Sequence, residues 1–148
     1  DIRPGQSVLE PSAGTGRIAQ AIKAAGIEPM CIELNYSAAE LLKSRGYFCE
    51  HTDFLDWQPA EGFDRVIMNP PFSNGQDIEH VRHAFDLLAD GGRLVAIMGE
   101  GTFYRSDKKA VSFRAWLDEH SGTSERLPEG TFKASGTQVN ARLVIIDK

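Results

Sequence analysis

Residues 8–16 read Val8-Leu9-Glu10-Pro11-Ser12-Ala13-Gly14-Thr15-Gly16, and this stretch decides the fold class. Its apolar start predicts a short buried strand, and its glycines let the backbone turn tightly after that strand. From Gly16 to Ala25 apolar residues recur at helical spacing, so we expect a helix that ends at Gly26. A strand, a glycine turn and a helix in this order form the first part of a βαβ unit.

The same alternation continues along the rest of the chain. Strands separated by helices of about a dozen residues indicate right-handed βαβ units and parallel strands. We therefore expect an α/β fold: a doubly wound, mainly parallel, seven-stranded Rossmann-like sheet with an antiparallel hairpin at one edge. The further predicted strands are 29–33, 47–51, 63–68, 93–98, 125–127 and 140–146, and the further helices are 36–44 (capped by Asn35), 78–88 and 110–120.

The composition fits a single globular domain. With 41% hydrophobic and 25% charged residues the chain is too apolar for a disordered tail, and its longest apolar runs are too short to cross a bilayer. The net charge of −5 argues against a protein that coats DNA. Two cysteines, Cys31 and Cys49, cannot build a disulfide framework or a four-ligand zinc site, so we expect a cytoplasmic protein without metal.

The glycine turn predicts a cofactor site at the carboxyl edge of the sheet. Gly14 and Gly16, with Ala19, match a dinucleotide-binding pattern, and Glu33 at the end of the second strand can accept both hydroxyls of a ribose. NAD and S-adenosylmethionine share this arrangement, and a plain βα turn without a ligand is the alternative. The predicted cofactor-binding residues are Glu10, Pro11, Ser12, Ala13, Gly14, Thr15, Gly16, Glu33, Leu34, Asp53, Phe54 and Asn69.

Two features favour the sulfonium cofactor over NAD. Glu10 directly precedes the loop, where a carboxylate would repel a pyrophosphate but suit a cationic ligand. Asp53 and Phe54 follow the third strand, where the acid could accept from an adenine amino group and the aromatic ring could cover the base. The alternative for Asp53 is a loop acid or a helix cap.

The fourth strand ends in Asn69-Pro70-Pro71-Phe72. A proline-stiffened turn would explain the prolines, but not the amide before them or the aromatic after them. An aryl amine is a poor nucleophile because its lone pair is delocalised into the ring. Acceptors on its two N–H groups, the Asn69 amide oxygen and the Pro70 carbonyl, would free that lone pair, and Phe72 would stack on the base. Residues 69–72 are therefore the predicted catalytic loop.

Taken together, these motifs resemble the amino-methylating class I S-adenosylmethionine-dependent methyltransferases, and most closely the DNA adenine-N6 group with an Asn-Pro-Pro-Phe loop, which includes modification subunits of restriction systems. The tail from Leu127 through Phe132 and Ser135-Gly136-Thr137 to Ile146 is similar to the closing hairpin of that group. The resemblance implies the class I methyltransferase core, S-adenosylmethionine as cofactor and DNA as the favoured substrate.

The chain also departs from that group. It begins after the position of a usual upstream cofactor-binding segment, and it contains no target-recognition domain. We expect residues 1–148 to be one catalytic core from a longer protein, with target recognition outside this chain. We also expect the segment 101–109 to contact nucleic acid, the alternative being a solvated lid or a helix start. Its candidate residues are Phe103, Tyr104, Arg105, Lys108 and Lys109.

Three other functions stay open on the sequence. The same loop would suit an RNA base or a protein glutamine amide, because each presents a planar NH2 group. A non-catalytic cofactor-binding or scaffold domain is a further alternative. An NAD-dependent dehydrogenase ranks last, since no catalytic constellation of His, Tyr or Lys is apparent. His80 and His83 are three residues apart without a third ligand, which argues against a metal site.

Overall fold

The structure, a computed structural model, describes residues 2–131 and 140–148, which contain one seven-stranded sheet. Strand order across the sheet is β3-β2-β1-β4-β5-β7-β6. Strands β1 to β5 pair in parallel, while β7 runs antiparallel to both β5 and β6. The strands are β1 (Val8–Pro11), β2 (Met30–Glu33), β3 (Phe48–His51), β4 (Phe63–Met68), β5 (Leu88–Gly99), β6 (Thr123–Arg126) and β7 (Ala141–Asp147).

This topology confirms the expected fold class and hairpin. The order reverses between β1 and β4, which creates the switch point where open α/β sheets bind ligands. The part of the predicted hairpin motif at Phe132 and Ser135–Thr137 lies outside the described residues, so the likeness there stays a prediction.

Four helices cover the sheet among the described residues, in the positions that the apolar spacing indicates. Asn35 caps the second helix as predicted, because its Oδ1 accepts the backbone N–H of Ala38 at 3.0 Å. No helix in the described ranges is long and apolar enough to cross a membrane. The helices are α1 (Arg17–Ala24), α2 (Tyr36–Ser44), α3 (Gln76–Asp86) and α4 (Lys108–Glu119).

The predicted boundary between α3 and β5 is wrong. The helix ends at Asp86 and the strand begins at Leu88, so the glycines at 91 and 92 lie inside β5. Gly91 adopts a left-handed φ of 75°, and a Cβ at Gly92 would come within 2.8 Å of the Ala89 carbonyl oxygen. The pairing with β4 shifts register at the same place. These glycines permit an irregular strand start, as at a β-bulge, and do not terminate a helix.

The core lies between the sheet and the helices. Alternate residues of β4 and β5, such as Val66, Met68 and Leu94, are fully buried against Ile78, Val81 and Phe113 of the helices. Burial of these apolar side chains supplies the main driving force for folding. Helices cover both faces of the sheet. The polar side chains that a ligand can reach are therefore those at the strand ends, along the carboxyl edge.

Candidate active site

The loop between β1 and α1 turns in a backbone conformation that glycine favours. Gly14 and Gly16 have φ values of 54° and 82°, and Ser12 also has a positive φ of 61°. A Cβ on Gly16 would lie 2.6 Å from Cδ2 of the buried Leu42. Glycine is therefore required at position 16 by its φ, and any larger residue would also displace α2 packing.

Glu33 joins this loop to the end of β2. Its Oε2 accepts the Gly14 N–H at 2.6 Å, and its Oε1 accepts the Asn35 N–H at 2.7 Å. Each carboxylate oxygen has a second lone pair, so both can accept one further hydrogen bond. Glu33 is 9% exposed and lines a cavity that we call the larger cavity, because it exceeds the second cavity described below.

This larger cavity lies at the carboxyl ends of β1, β2, β3 and β4 and has a volume of about 540 Å³. Its size is in the range of pockets for drug-sized ligands and cofactors. Apolar side chains line it together with a few polar groups, which suits a ligand with a flat base and a polar tail. The lining residues are Ser12, Ile32, Glu33, Leu34, Asn35, Thr52, Asp53, Phe54, Leu55, Asn69, Pro71, Gln76 and His80.

Asp53 is a helix cap, which was the alternative to a cofactor ligand, and its contact with an adenine amino group stays a prediction. Its Oδ1 accepts the Leu55 N–H at 2.9 Å and so caps the short 3-10 turn at Phe54–Asp56. The same carboxylate lines the larger cavity. The cap fixes the orientation of the carboxylate, which leaves Oδ2 available to a ligand.

The segment Asn69–Phe72 separates the larger cavity from a second one of about 290 Å³. Asn69 is exposed and lines the larger cavity with Pro71, while Pro70 is buried. Phe72 is half-buried and lines the second cavity with Tyr104 and Arg105. The predicted catalytic amide thus faces one cavity, and the predicted stacking ring faces the other.

Glu10 is placed differently from the other predicted ligands. It is 2% exposed, and its Oε2 has no hydrogen-bond partner among the described residues. Burial, opposed by a hydrogen bond from the Ala19 N–H and aided by the charge of Glu33, raises the pKa of Glu10 to about 8. Below that pH the neutral acid lies beneath the glycine loop, and its role as a cofactor ligand stays a prediction.

Several cavity residues were not predicted as ligands. His80 is 6% exposed, and its Nδ1 lies 3.4 Å from the Ser12 Oγ, which links α3 to the glycine loop. Burial lowers the pKa of His80, so the ring is neutral at pH 7. Gln76 and His80 are one helical turn apart. A predicted helix that began directly after Phe72, and not at position 78, would have placed both residues on one face. Asn35 was predicted only as a helix cap.

The residues predicted to contact nucleic acid fall into two groups in the structure: some line the second cavity, and others contact neighbouring residues of the chain. Tyr104 is 74% exposed and lines the second cavity with Arg105. Phe103 packs against Phe113, and Lys109 forms an ion pair with Glu79 at 2.7 Å. Asp107 caps α4, which begins at Lys108. Part of the segment 101–109 is therefore a helix start, which was one alternative to a nucleic-acid contact. In residues 2–131 and 140–148, no group of three or more His, Cys, Asp or Glu side chains could hold a metal ion.

Several known proteins are similar to this chain in sequence or in fold. The chain is 33% identical to a tRNA1(Val) (adenine(37)-N6)-methyltransferase of Vibrio cholerae, over 55% of this chain and 40% of that protein. Its fold is similar to that of the type I restriction enzyme EcoKI M protein (TM-score 0.73, 18% identity, 98% of this chain and 40% of that one). It is also similar to an S-adenosylmethionine-dependent methyltransferase of Archaeoglobus fulgidus (TM-score 0.69, 12% identity, 97% and 86%).

A family model, the methyltransferase small domain, matches residues 2–115 and so includes the glycine loop, Glu33, Asp53 and the segment Asn69–Phe72. The chain spans about 40% of the length of the Vibrio cholerae relative. The matched part contains both walls of the larger cavity, whose donors and acceptors fit the expected cofactor. The chain belongs to the methyltransferase small domain family, and S-adenosylmethionine is its cofactor.

Proposed function

We propose that this chain methylates the exocyclic amino nitrogen N6 of adenine in a nucleic acid, and that the acceptor is DNA. One observation carries the proposal: Asn69 is exposed at the end of β4 and lines the same cavity as Glu33 and Asp53. An amide that faces the cofactor cavity from the strand next to β1 can accept from an amino group beside the transferred methyl.

The residues of the larger cavity fit an S-adenosyl ligand. Glu33 has two free lone pairs for ribose hydroxyls, and Asp53 has an oxygen for an adenine amino group. Leu34, Phe54 and Leu55 provide apolar contact for a base. When bound, the cofactor supplies an electrophilic methyl group on a sulfonium sulfur.

Asn69 and Pro70 would act on the acceptor amine. The Asn69 amide oxygen and the carbonyl of the buried Pro70 would each accept one N–H, which favours a pyramidal nitrogen with a localised lone pair. The prolines fix the backbone dihedral angles of the loop, so the acceptors need no reorganisation during reaction. Phe72 would hold the base by stacking from the second cavity, where Tyr104 offers another aromatic face.

The choice of DNA follows from the Asn-Pro-Pro-Phe segment, which resembles that of DNA adenine-N6 methyltransferases. A specific observation favours a second candidate, adenine in tRNA, because the Vibrio cholerae relative at 33% identity is named for that activity. A duplex acceptor would require the base to leave its stack, whereas an unpaired tRNA base would not.

Transfer of labelled methyl groups tests both candidates. The chain is incubated with labelled S-adenosylmethionine and with DNA, tRNA or protein pools, and the methylated nucleoside is identified by mass spectrometry. We expect N6-methyladenine in DNA, and about 10²- to 10³-fold less of it with Asn69→Ala, by analogy with the loss of one preorganised hydrogen-bond donor from an oxyanion hole.

The matched control is Asn74→Gly, which removes an exposed amide from the same loop at a φ of 56° that glycine tolerates. Its activity should equal that of the wild type. Label in tRNA alone would replace DNA by the second candidate, and label in glutamine would overturn the nucleic-acid acceptor. No label in any pool would favour a scaffold domain, and full activity of Asn69→Ala would remove Asn69 from the chemistry.

A further inference from the structure

We propose that four arginines around the segment Glu100–Arg105 form a binding site for the phosphodiester backbone of the acceptor strand. This site rests on the proposed function, because it presumes a nucleic-acid substrate. We call it the arginine cluster, and its members are Arg105, Arg114, Arg126 and Arg142.

Three side chains of the arginine cluster are held by acceptors of the segment Glu100–Arg105, and Arg105 pairs with Asp107 at 3.2 Å. Glu100 receives Arg126 Nη2 at 3.0 Å on Oε1 and Arg142 Nε at 3.2 Å on Oε2. Arg114 Nη1 donates to the carbonyl oxygens of Thr102 and Arg105, at 2.8 and 3.0 Å. The guanidinium groups are therefore preorganised, which lowers the entropy cost of binding an anion.

Two of these arginines face each other across the sheet. Arg126 of β6 lies directly opposite Arg142 of β7 in the antiparallel ladder. Like charges at such a position repel each other. Glu100, with its side chain 11% exposed, bridges both arginines but carries only one negative charge. A phosphate bound beside them would supply a further negative charge to this pair.

The arginine cluster concentrates four cations on a chain of net charge −5. Its guanidinium groups form ion pairs with two carboxylates among the described residues, Glu100 and Asp107. The charges of Asp77 and Glu129 also act on Arg105 and Arg126. The Arg126 side chain is 65% exposed, and Arg142 lies 4.9 Å above the ring of Phe103. The planar guanidinium groups thus keep N–H donors for the oxygens of a phosphate.

The arginine cluster borders the second cavity. Glu100 and Arg105 line this cavity together with Phe72 and Tyr104. A base stacked on Phe72 would bring its own backbone past these arginines. Aromatic faces next to cations are typical of surfaces that bind nucleic-acid strands and are not needed for an acidic peptide.

Binding of a fluorescent oligonucleotide tests this inference. The probe is an adenine-containing single-stranded DNA of about 20 nucleotides, titrated with the 148-residue chain at several salt concentrations. The test variant is Arg126→Gln. A second variant, Arg126→Lys, keeps the positive charge but lacks the planar guanidinium group. The control is Arg93→Gln, which removes an exposed arginine that pairs with Asp147, at the other end of β7 from Arg142.

We expect Arg126→Gln to weaken binding by about three- to tenfold and to reduce the slope of log K against log salt by about 0.7. Arg126→Lys should lose less, Arg93→Gln should match the wild type, and all variants should bind S-adenosylmethionine equally. Equal binding by Arg126→Gln and Arg93→Gln, no binding by the wild type, or equal competition by polyglutamate would overturn the site.

Failure of the proposed function gives a different result. If the wild type transfers no methyl group to DNA or tRNA, but the arginine variants still differ in oligonucleotide binding, the proposed activity is wrong and the binding site stands. The Asn74→Gly variant should bind the oligonucleotide as the wild type does, since its exposed side chain belongs neither to the arginine cluster nor to the proposed acceptor contacts.

Discussion

Two buried glutamates at the same edge of the sheet behave in opposite ways. Glu10 near the end of β1 is 2% exposed, and Glu100 after β5 is 8% exposed. The pKa of Glu10 is raised to about 8, because burial is not balanced by a cation. Burial also acts on Glu100, but hydrogen bonds from Arg126 and Arg142 outweigh it and lower its pKa. Glu100 keeps its charge because it has cationic partners and lies at a shallower position, whereas Glu10 has neither.

The two glutamates also lie in different halves of the carboxyl edge of the sheet, each half having its own cavity. Glu10 lies in the half whose larger cavity holds Glu33 and Asp53, where further negative charge beside the glycine loop is avoided by protonation. Glu100 lies in the half with the second cavity, where its charge holds two arginines in place. The first half is suited to the cofactor, and the second is suited to an anionic strand.

The largest expected effect is on the pH dependence of folding. The unfolded chain releases the Glu10 proton near pH 4.5, but the folded chain keeps it to about pH 8. Stability is therefore fully present below pH 4.5 and falls as the pH rises to 8, by up to roughly 5 kcal/mol. Glu10→Gln should remove this part of the fall. Urea unfolding from pH 5 to 9 measures it, with the exposed Glu28→Gln as control, and identical slopes for Glu10→Gln and wild type would contradict it.

A smaller effect is expected at Glu100. Glu100→Gln leaves Arg126 and Arg142 opposite each other without a carboxylate, which should cost about 2–3 kcal/mol of unfolding free energy at pH 7. Because the folded pKa of Glu100 is lowered, its contribution is present above pH 4.5 and is lost as the pH falls further. Urea titrations of variant and wild type should therefore converge in acid. A difference that persists at pH 3 would show that packing, and not charge, is lost.

Glu33 tests the cofactor half directly. Glu33→Gln exchanges one acceptor oxygen for an NH2 group that faces a backbone N–H or a ribose hydroxyl. We expect about 30-fold weaker binding of S-adenosylmethionine in calorimetric titration, equal to about 2 kcal/mol. Glu40→Gln, on the exposed face of α2, should bind as the wild type does. Unchanged affinity in Glu33→Gln would remove this residue from the cofactor site.

The smallest effect is expected where a glutamine replaces a surface arginine. Arg93 pairs with Asp147 at 2.6 Å, but both side chains are exposed, at 42% and 59%. Arg93→Gln should shift the midpoint of urea unfolding by less than any of the other variants, and raising the salt concentration should shrink the difference. A loss as large as that of Glu100→Gln would show that exposure does not distinguish these ion pairs.

The positions of Glu33, Asn35 and Asn69 could be predicted because their signals are local: Glu33 ends β2, Asn35 caps α2 and Asn69 directly follows β4. Beside the second cavity, Phe72, Tyr104 and Arg105 were predicted from their local motifs. The contacts of Glu100 with Arg126 and Arg142 were not, since these arginines lie 26 and 42 positions away and share no motif with it. The irregular start of β5 escaped prediction for a related reason: a glycine pair commonly ends helices, and only the register against β4 shows its other use.

The amino-acid sequence alone determined the order of strands and helices, the glycine turn and the polar residues that end each strand. These features follow from side-chain periodicity and backbone dihedral preferences, which act over a few neighbouring residues. Tertiary structure alone decided which carboxyl groups are charged, since that depends on burial and on partners from distant strands. It also decided that Asn69 faces one cavity and Phe72 another, because the space around a loop is made by the elements that pack beside it.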